Sequence, residues 1–248
     1  SLNSGPRNRY LNILKRISPR ITSPDGSDRG DRMSEKFHTE LDLLKQDTIE
    51  MARFSRTLLA DAVETLVNDD VTRAIEVKSR KGEIQERTIS LEDRAYNLIA
   101  LYQPMAKDMR VIVCILKMIS AAERIGRYGK DIASITKHLQ DQPSYPHQPP
   151  LAHMGSLVTA MIDDVIGAFE KENLELIRDL TRRDDVVDDL WHSIFRQTLT
   201  FMMENPKTIT RYTSYIMAAR YLERSADHAC KMAENIHYAI IGERIEFK

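Results

Sequence analysis

The sequence predicts an all-α protein made of two tandem antiparallel three-helix bundles related by internal duplication. Three observations carry that prediction. Leu, Ile, Ala and Met are plentiful while Gly and Pro are scarce inside the periodic regions, which favours long helices over strands. A proline-rich stretch divides the chain, and the order helix, helix, proline break, helix occurs on both sides of it. The 248 residues are enough for one large domain or two small ones with substantial cores.

Residues 1–33 mix Gly, Pro, Ser and charge with little periodicity, and are expected to be a flexible tail. Within it Tyr10 to Ile17 could form two amphipathic basic turns. From Ser34 onward, Phe37, Leu41, Leu44, Ile49, Ala52, Leu59, Val63 and Leu66 follow the 3.6-residue period of a helix buried on one face. Asn68 and Asp69 punctuate it, and a second helical stretch reaches Tyr102. Pro104 marks the start of a third helix, since proline is tolerated in a first turn and disfavoured inside. That helix runs to His138 and completes the first repeat, residues 34–138. Residues 139–150 hold four of the nine prolines and read as a linker. The second repeat, residues 151–248, offers helices from Leu151 to Glu170, from Leu174 to Met203 and, after "ENPKT", to Ile241.

The duplication can be seen residue by residue. "AAERIGRYGKDIA" from Ala121 and "YLERSADHACKMA" from Tyr221 align with an offset of one hundred, pairing Glu123 with Glu223 and Arg124 with Arg224.

The formal net charge of -1 gives no global electrostatic case for nucleic acid or an anionic membrane. Cys114 and Cys230 are the only cysteines, each in an apolar helical pattern, so both read as buried small residues in a reducing compartment. No stretch reads as a membrane span or a secretory signal, and a cytoplasmic location is expected.

"TRRDDVVDDLW", residues 181–191, places four aspartates in six helical positions. Asp184 with Asp188, like Asp185 with Asp189, is a like-charge i, i+4 pair that weakens an isolated helix by a few tenths of a kcal/mol. Asp184 falls on the apolar line of Ile177, Leu180, Val187, Trp191 and Ile194, with Asp188 at its border; Asp185 and Asp189 turn toward solvent. On the last helix Glu223 and Asp227 are another acidic i, i+4 pair, edging a line of Ala219, Ala226, Ala229 and Ala233. If the two helices pack antiparallel, four carboxylates converge, and unpaired charges in a partly buried place need compensation. Either a metal ion or the arginines Arg182, Arg183, Arg220 and Arg224 supply it.

"QPMAKDMRVIV" followed by "ERIG", and "LERSADHACKMAENIHYAIIGE" near the end, resemble the paired motifs of the PhoU family, cytoplasmic regulators of phosphate uptake. The resemblance covers Phe37 to Glu243. It implies two tandem three-helix bundles and, in each, a Glu-x-x-x-Asp motif able to bind iron or another metal in a multinuclear cluster. The second motif is intact as Glu223 and Asp227, with Asp184 and Asp188 opposite, so a metal centre of iron or zinc is expected in repeat 2 only. In repeat 1, Arg127 stands where the motif has aspartate and Lys81 stands near the partner acid, so an ion-pair cluster without metal is expected there. The resemblance further implies a non-enzymatic adaptor, a homodimer, whose partners are the ATPase of a phosphate ABC transporter, a sensor histidine kinase, or both, and which meets the membrane only through them.

Two other readings compete. Glu35 with His38 and Glu234 with His237 are Glu-x-x-His pairs of the kind a ferritin-like di-iron enzyme uses. The basic residues of the tail would suit a DNA-binding regulator, although Asp25, Asp28 and Asp31 lie in the same segment. His228 beside Asp227 either supports the acidic site or faces solvent, and His147 and His153 flank the linker without an evident role.

Overall fold

The computed structural model describes the backbone of residues 26–145 and 147–247, with side chains from Arg32 onward. The tail expected for residues 1–33, with its Tyr10 to Ile17 turns, lies outside the described residues as far as residue 25. Beyond that point it is helical, because α1 spans Gly26–Val67 rather than starting at Ser34. No proline falls within this span. The chain divides into two units, Ser1–Phe37 and His38–Lys248, and the second contains nearly all of both repeats.

Among the described residues every regular element is helical. After α1, Asp69 takes a left-handed φ of 52° and the Asp70 side chain accepts the Arg73 backbone N–H, capping α2 (Val71–Ser79). The expected second helix is thus two pieces, α2 and α3 (Lys81–Tyr102), broken at Arg80 next to Gly82. Gln103 ends α3 in a left-handed cap, and α4 covers Ala106–His138, just past Pro104 as expected. In the second repeat α5 is Leu151–Lys171, a short 3₁₀ turn follows at Leu174–Ile177, α6 is Leu180–Glu204, and α7 is Ile209–Ile241.

α4 and α7 pack extensively on one another. They run antiparallel: Arg211 at the start of α7 reaches the carbonyls of Leu139 and Gln142 beyond the end of α4, and Tyr128 stacks on Tyr221 at mid-length. α1 serves both repeats. Its Asp47 pairs with Arg94 of α3, and the Leu58 backbone lies against Gly129 of α4. Val63 meets Gly155 of α5, and Arg56 forks onto Asp163 of α5 at 2.7 to 3.0 Å. The proline-rich segment is tied down as well, since the Tyr212 hydroxyl donates to His147 O and Tyr145 donates to Lys207 O.

Contrary to the expectation of no membrane span, α5 is by length and composition apolar enough to cross a membrane. More than half of its apolar window is nevertheless buried inside the protein, where it packs on α7 and α6.

Candidate functional site

The acidic segment sits where a close helix pair puts it. α6 buries Leu180, Val187 and Ile194, and α7, which packs on it, buries Leu222, Ala226, Ala229 and Ala233. Alanines let the two backbones approach, so polar side chains on the shared border are brought together and partly stripped of water. Asp184 is half-buried at this border. Asp188 is more open, and Asp185 and Asp189 are exposed as the periodicity requires.

The four predicted carboxylates form one electrostatically coupled cluster. Burial, then the charges of Asp188 and Asp227, push the Asp184 carboxyl up to about 6. Burial and Asp227 also raise Asp188. Burial raises Glu223, with Asp227 and Asp188 adding to it and the Arg220 guanidinium opposing. Burial leads in each case, and the neighbouring acids add to it.

The arginines answer only one of the four acids. Arg220 donates to Glu223 Oε1 at 2.6 Å and lies 5.4 Å from the Trp191 ring centroid. Arg183 turns away to Asp164 at 2.6 Å, and Arg182 is 3.8 Å from Asp179. Among the described residues no Lys, Arg or His side-chain nitrogen comes within 4 Å of a carboxylate oxygen of Asp184, Asp188 or Asp227. The other Glu223 oxygen, Oε2, is buried without a hydrogen-bond partner. A full arginine network is therefore not what holds the acids.

One end of the cluster opens into a 170 Å³ cavity lined by Asp184, Asp227, Cys230, Lys231, Glu234, Glu246 and Phe247. Cys230 lines the same cavity as Asp184, and burial beside these acids pushes its thiol up and keeps it protonated. The chain end closes the cavity: Gly242 takes φ 88° after α7, and the Phe247 N–H returns to Glu234 Oε1 at 3.2 Å. By donor chemistry, carboxylates with a free buried oxygen suit a hard or borderline cation. By spacing, no group of three or more His, Cys, Asp or Glu side chains among the described residues stands at metal-holding distance.

The corresponding place in the first repeat is built from other charges. A 210 Å³ pocket between α3 and α4 is lined by Lys81, Ile84, Gln85, Glu123 and Arg127, and Arg127 stands 3.6 Å from Glu123. The expected ion pair is present.

The PhoU domain matches this chain twice, over residues 48–136 and 151–236. The chain belongs to the PhoU family. It is 32% identical to a phosphate-specific transport system accessory protein PhoU homolog of Caulobacter vibrioides, over 84% of this chain and 91% of that protein. It is 28% identical to the Clostridium acetobutylicum homolog of the same name, over 85% and 96%. The crystal structure of PhoU from Pseudomonas aeruginosa superposes with a TM-score of 0.80 at 29% identity, covering 84% of this chain and all of that one. PhoU from Streptococcus pneumoniae shares the fold, with a TM-score of 0.78.

In this PhoU chain the histidines have other partners. His237 Nδ1 is 3.0 Å from Glu243 O and Glu234 receives Phe247, while His38 lies 3.8 Å from Asp108. His228 packs against Tyr128, and burial lowers its pKa. His147 stacks on Phe201. Sequence reasoning missed the return of Glu246 and Phe247 over the acidic cavity; the signal was Gly242 at the end of the last periodic stretch.

Proposed function

We propose that this PhoU-family chain is a regulatory accessory protein of phosphate uptake and phosphate signalling, restraining a phosphate transporter or its sensor kinase. Its relatives in Caulobacter vibrioides and Clostridium acetobutylicum are named as accessory proteins of phosphate-specific transport systems, and that likeness carries the reading. On this reading the protein is an adaptor rather than an enzyme. It is cytoplasmic and homodimeric, and reaches the membrane through the transporter ATPase or a sensor histidine kinase.

A cation held by Asp184, Asp188, Glu223 and Asp227, iron or zinc, gives the adaptor a ligand-dependent state. The support is the raised carboxyl pKa values and the unpartnered Glu223 Oε2. Such an ion would supply positive charge the helices lack and would draw α6 and α7 together. Asp184, Asp188, Asp227 and the free oxygen of Glu223 would hold it, while Arg220 keeps the other Glu223 oxygen.

The test is capture of partners by the tagged full-length chain from cells grown at high and low phosphate. A phosphate-transporter ATPase or a sensor kinase is expected in the captured fraction, in amounts that change with phosphate and fall in the Glu223→Ala, Asp227→Ala variant. Capture of neither at either phosphate level would sink the reading.

A further inference from the structure

We propose that the first-repeat pocket between α3 and α4 is a site for protonated inorganic phosphate. Lys81, Arg127 and Gln85 are its donors, and Glu123 accepts the phosphate hydroxyl. Three observations support it. Among the lining residues Lys81 and Arg127 outweigh Glu123, whose charge is also felt by the nearby Glu92. Lys81 has no carboxylate within 4 Å and the Gln85 amide has no hydrogen-bond partner among the described residues, so two donors are uncommitted. Arg127 meets Glu123 only loosely, at 3.6 Å, and a guanidinium has donors to spare for a second acceptor. The neighbouring arginines Arg80 and Arg87 are occupied by Glu83 and the Phe54 ring.

Glu123 gives the site its selectivity. An ionised carboxylate only accepts hydrogen bonds, so it repels sulfate, which is unprotonated at neutral pH. Inorganic phosphate keeps a P–OH at neutral pH and can donate to it. A phosphate monoester loses that proton near neutrality, so free phosphate is preferred over an esterified phosphoryl group. An oxyanion site follows from the pocket alone; the choice of phosphate over other protonated oxyanions rests on the proposed role in phosphate regulation.

The experiment titrates inorganic phosphate, sulfate and phenyl phosphate, by calorimetry and phosphorus NMR, into the full chain stripped of metal with chelator. Saturable binding of one phosphate per chain is expected, with sulfate and, at pH 8, phenyl phosphate weaker. Lys81→Gln and Arg127→Gln should each weaken phosphate binding by roughly tenfold, since each removes a charge-assisted bond. Glu123→Gln should erase the preference over sulfate, a change that mere loss of structure would not produce. Circular dichroism of each variant checks its fold, and Asp227→Asn should bind phosphate as the wild type does. No saturable binding, or binding indifferent to Lys81, Arg127 and Glu123, overturns the inference. Binding that requires added metal and Asp227 also overturns it while leaving the regulatory reading intact, and failure of partner capture with phosphate binding preserved points the other way.

Discussion

Glu123 and Glu223 occupy the same place in α4 and α7. Yet Glu123 shares its pocket with Arg127, Lys81 and Gln85, whereas Glu223 is coupled to Asp227 and Asp188. The helices around the two sites correspond in order along the chain, so the fold does not dictate the sign of the site. The packing differs in step with the charge. Gly126 and Gly129 of α4 stand where α7 has Ala226 and Ala229: a Cβ on Gly129 would sit 2.9 Å from the α1 backbone at Leu58, and one on Gly126 2.6 Å from the Ile84 side chain. A duplicated helix pair thus keeps its frame while each copy takes its own charges and its own neighbours.

The largest expected effect comes from severing the joint that holds the copies together. Arg211 is nearly fully buried and bonds Asp69 at 2.8 Å, the Tyr215 hydroxyl and Gln142 O, tying the α1–α2 turn and the linker to α7. Arg211→Met should destabilise the protein by about 3 kcal/mol in urea unfolding, the cost of removing one member of a buried polar cluster. If the loss is under about 1 kcal/mol, the repeats are not joined there.

Next in size is the glycine contrast. Gly129→Ala forces a backbone to move and should cost about 2 kcal/mol despite the gain in helix propensity. Ala229→Gly, the reciprocal change, should cost only about 1 kcal/mol, mainly in propensity. Equal losses would mean that α1 does not press on α4.

Smaller still is the titration of the acidic cluster. A carboxyl whose folded pKa is raised binds more protons folded than unfolded, so its contribution to stability is present at low pH and is lost as pH rises from 3.8 to about 6. Asp184→Asn, measured with chelator present, should therefore stabilise the protein at pH 7 by about 1 kcal/mol, a figure reduced for solvent screening at a half-buried site. The advantage should vanish near pH 4. Trp191 fluorescence beside Arg220 offers a local readout of the same titration. The smallest effect belongs to the surface: Arg56→Gln breaks the fork on Asp163 and should cost at most about 1 kcal/mol.

Most of the frame was legible in the sequence because helices are encoded locally. Periodicity placed the α4 end at His138 and the α7 end at Ile241, and the offset of one hundred located both sites. The acidic pair on each of two helices marked where carboxylates would meet if those helices packed side by side. What escaped was decided by long-range neighbours. Whether Arg183 turns to Asp184 or to Asp164 depends on where α5 lies, and no spacing within α6 contains that information. The break of the second helix at Arg80 and the return of Phe247 over the cavity depend likewise on space and partners outside their own segments.

Opposite charge at two equivalent sites is tested most directly by metal content. Elemental analysis of protein purified without chelator should find bound metal in the wild type and in Glu123→Ala, and none in Glu223→Ala with Asp227→Ala. Metal retained after both second-repeat acids are removed, or lost with Glu123, would contradict it.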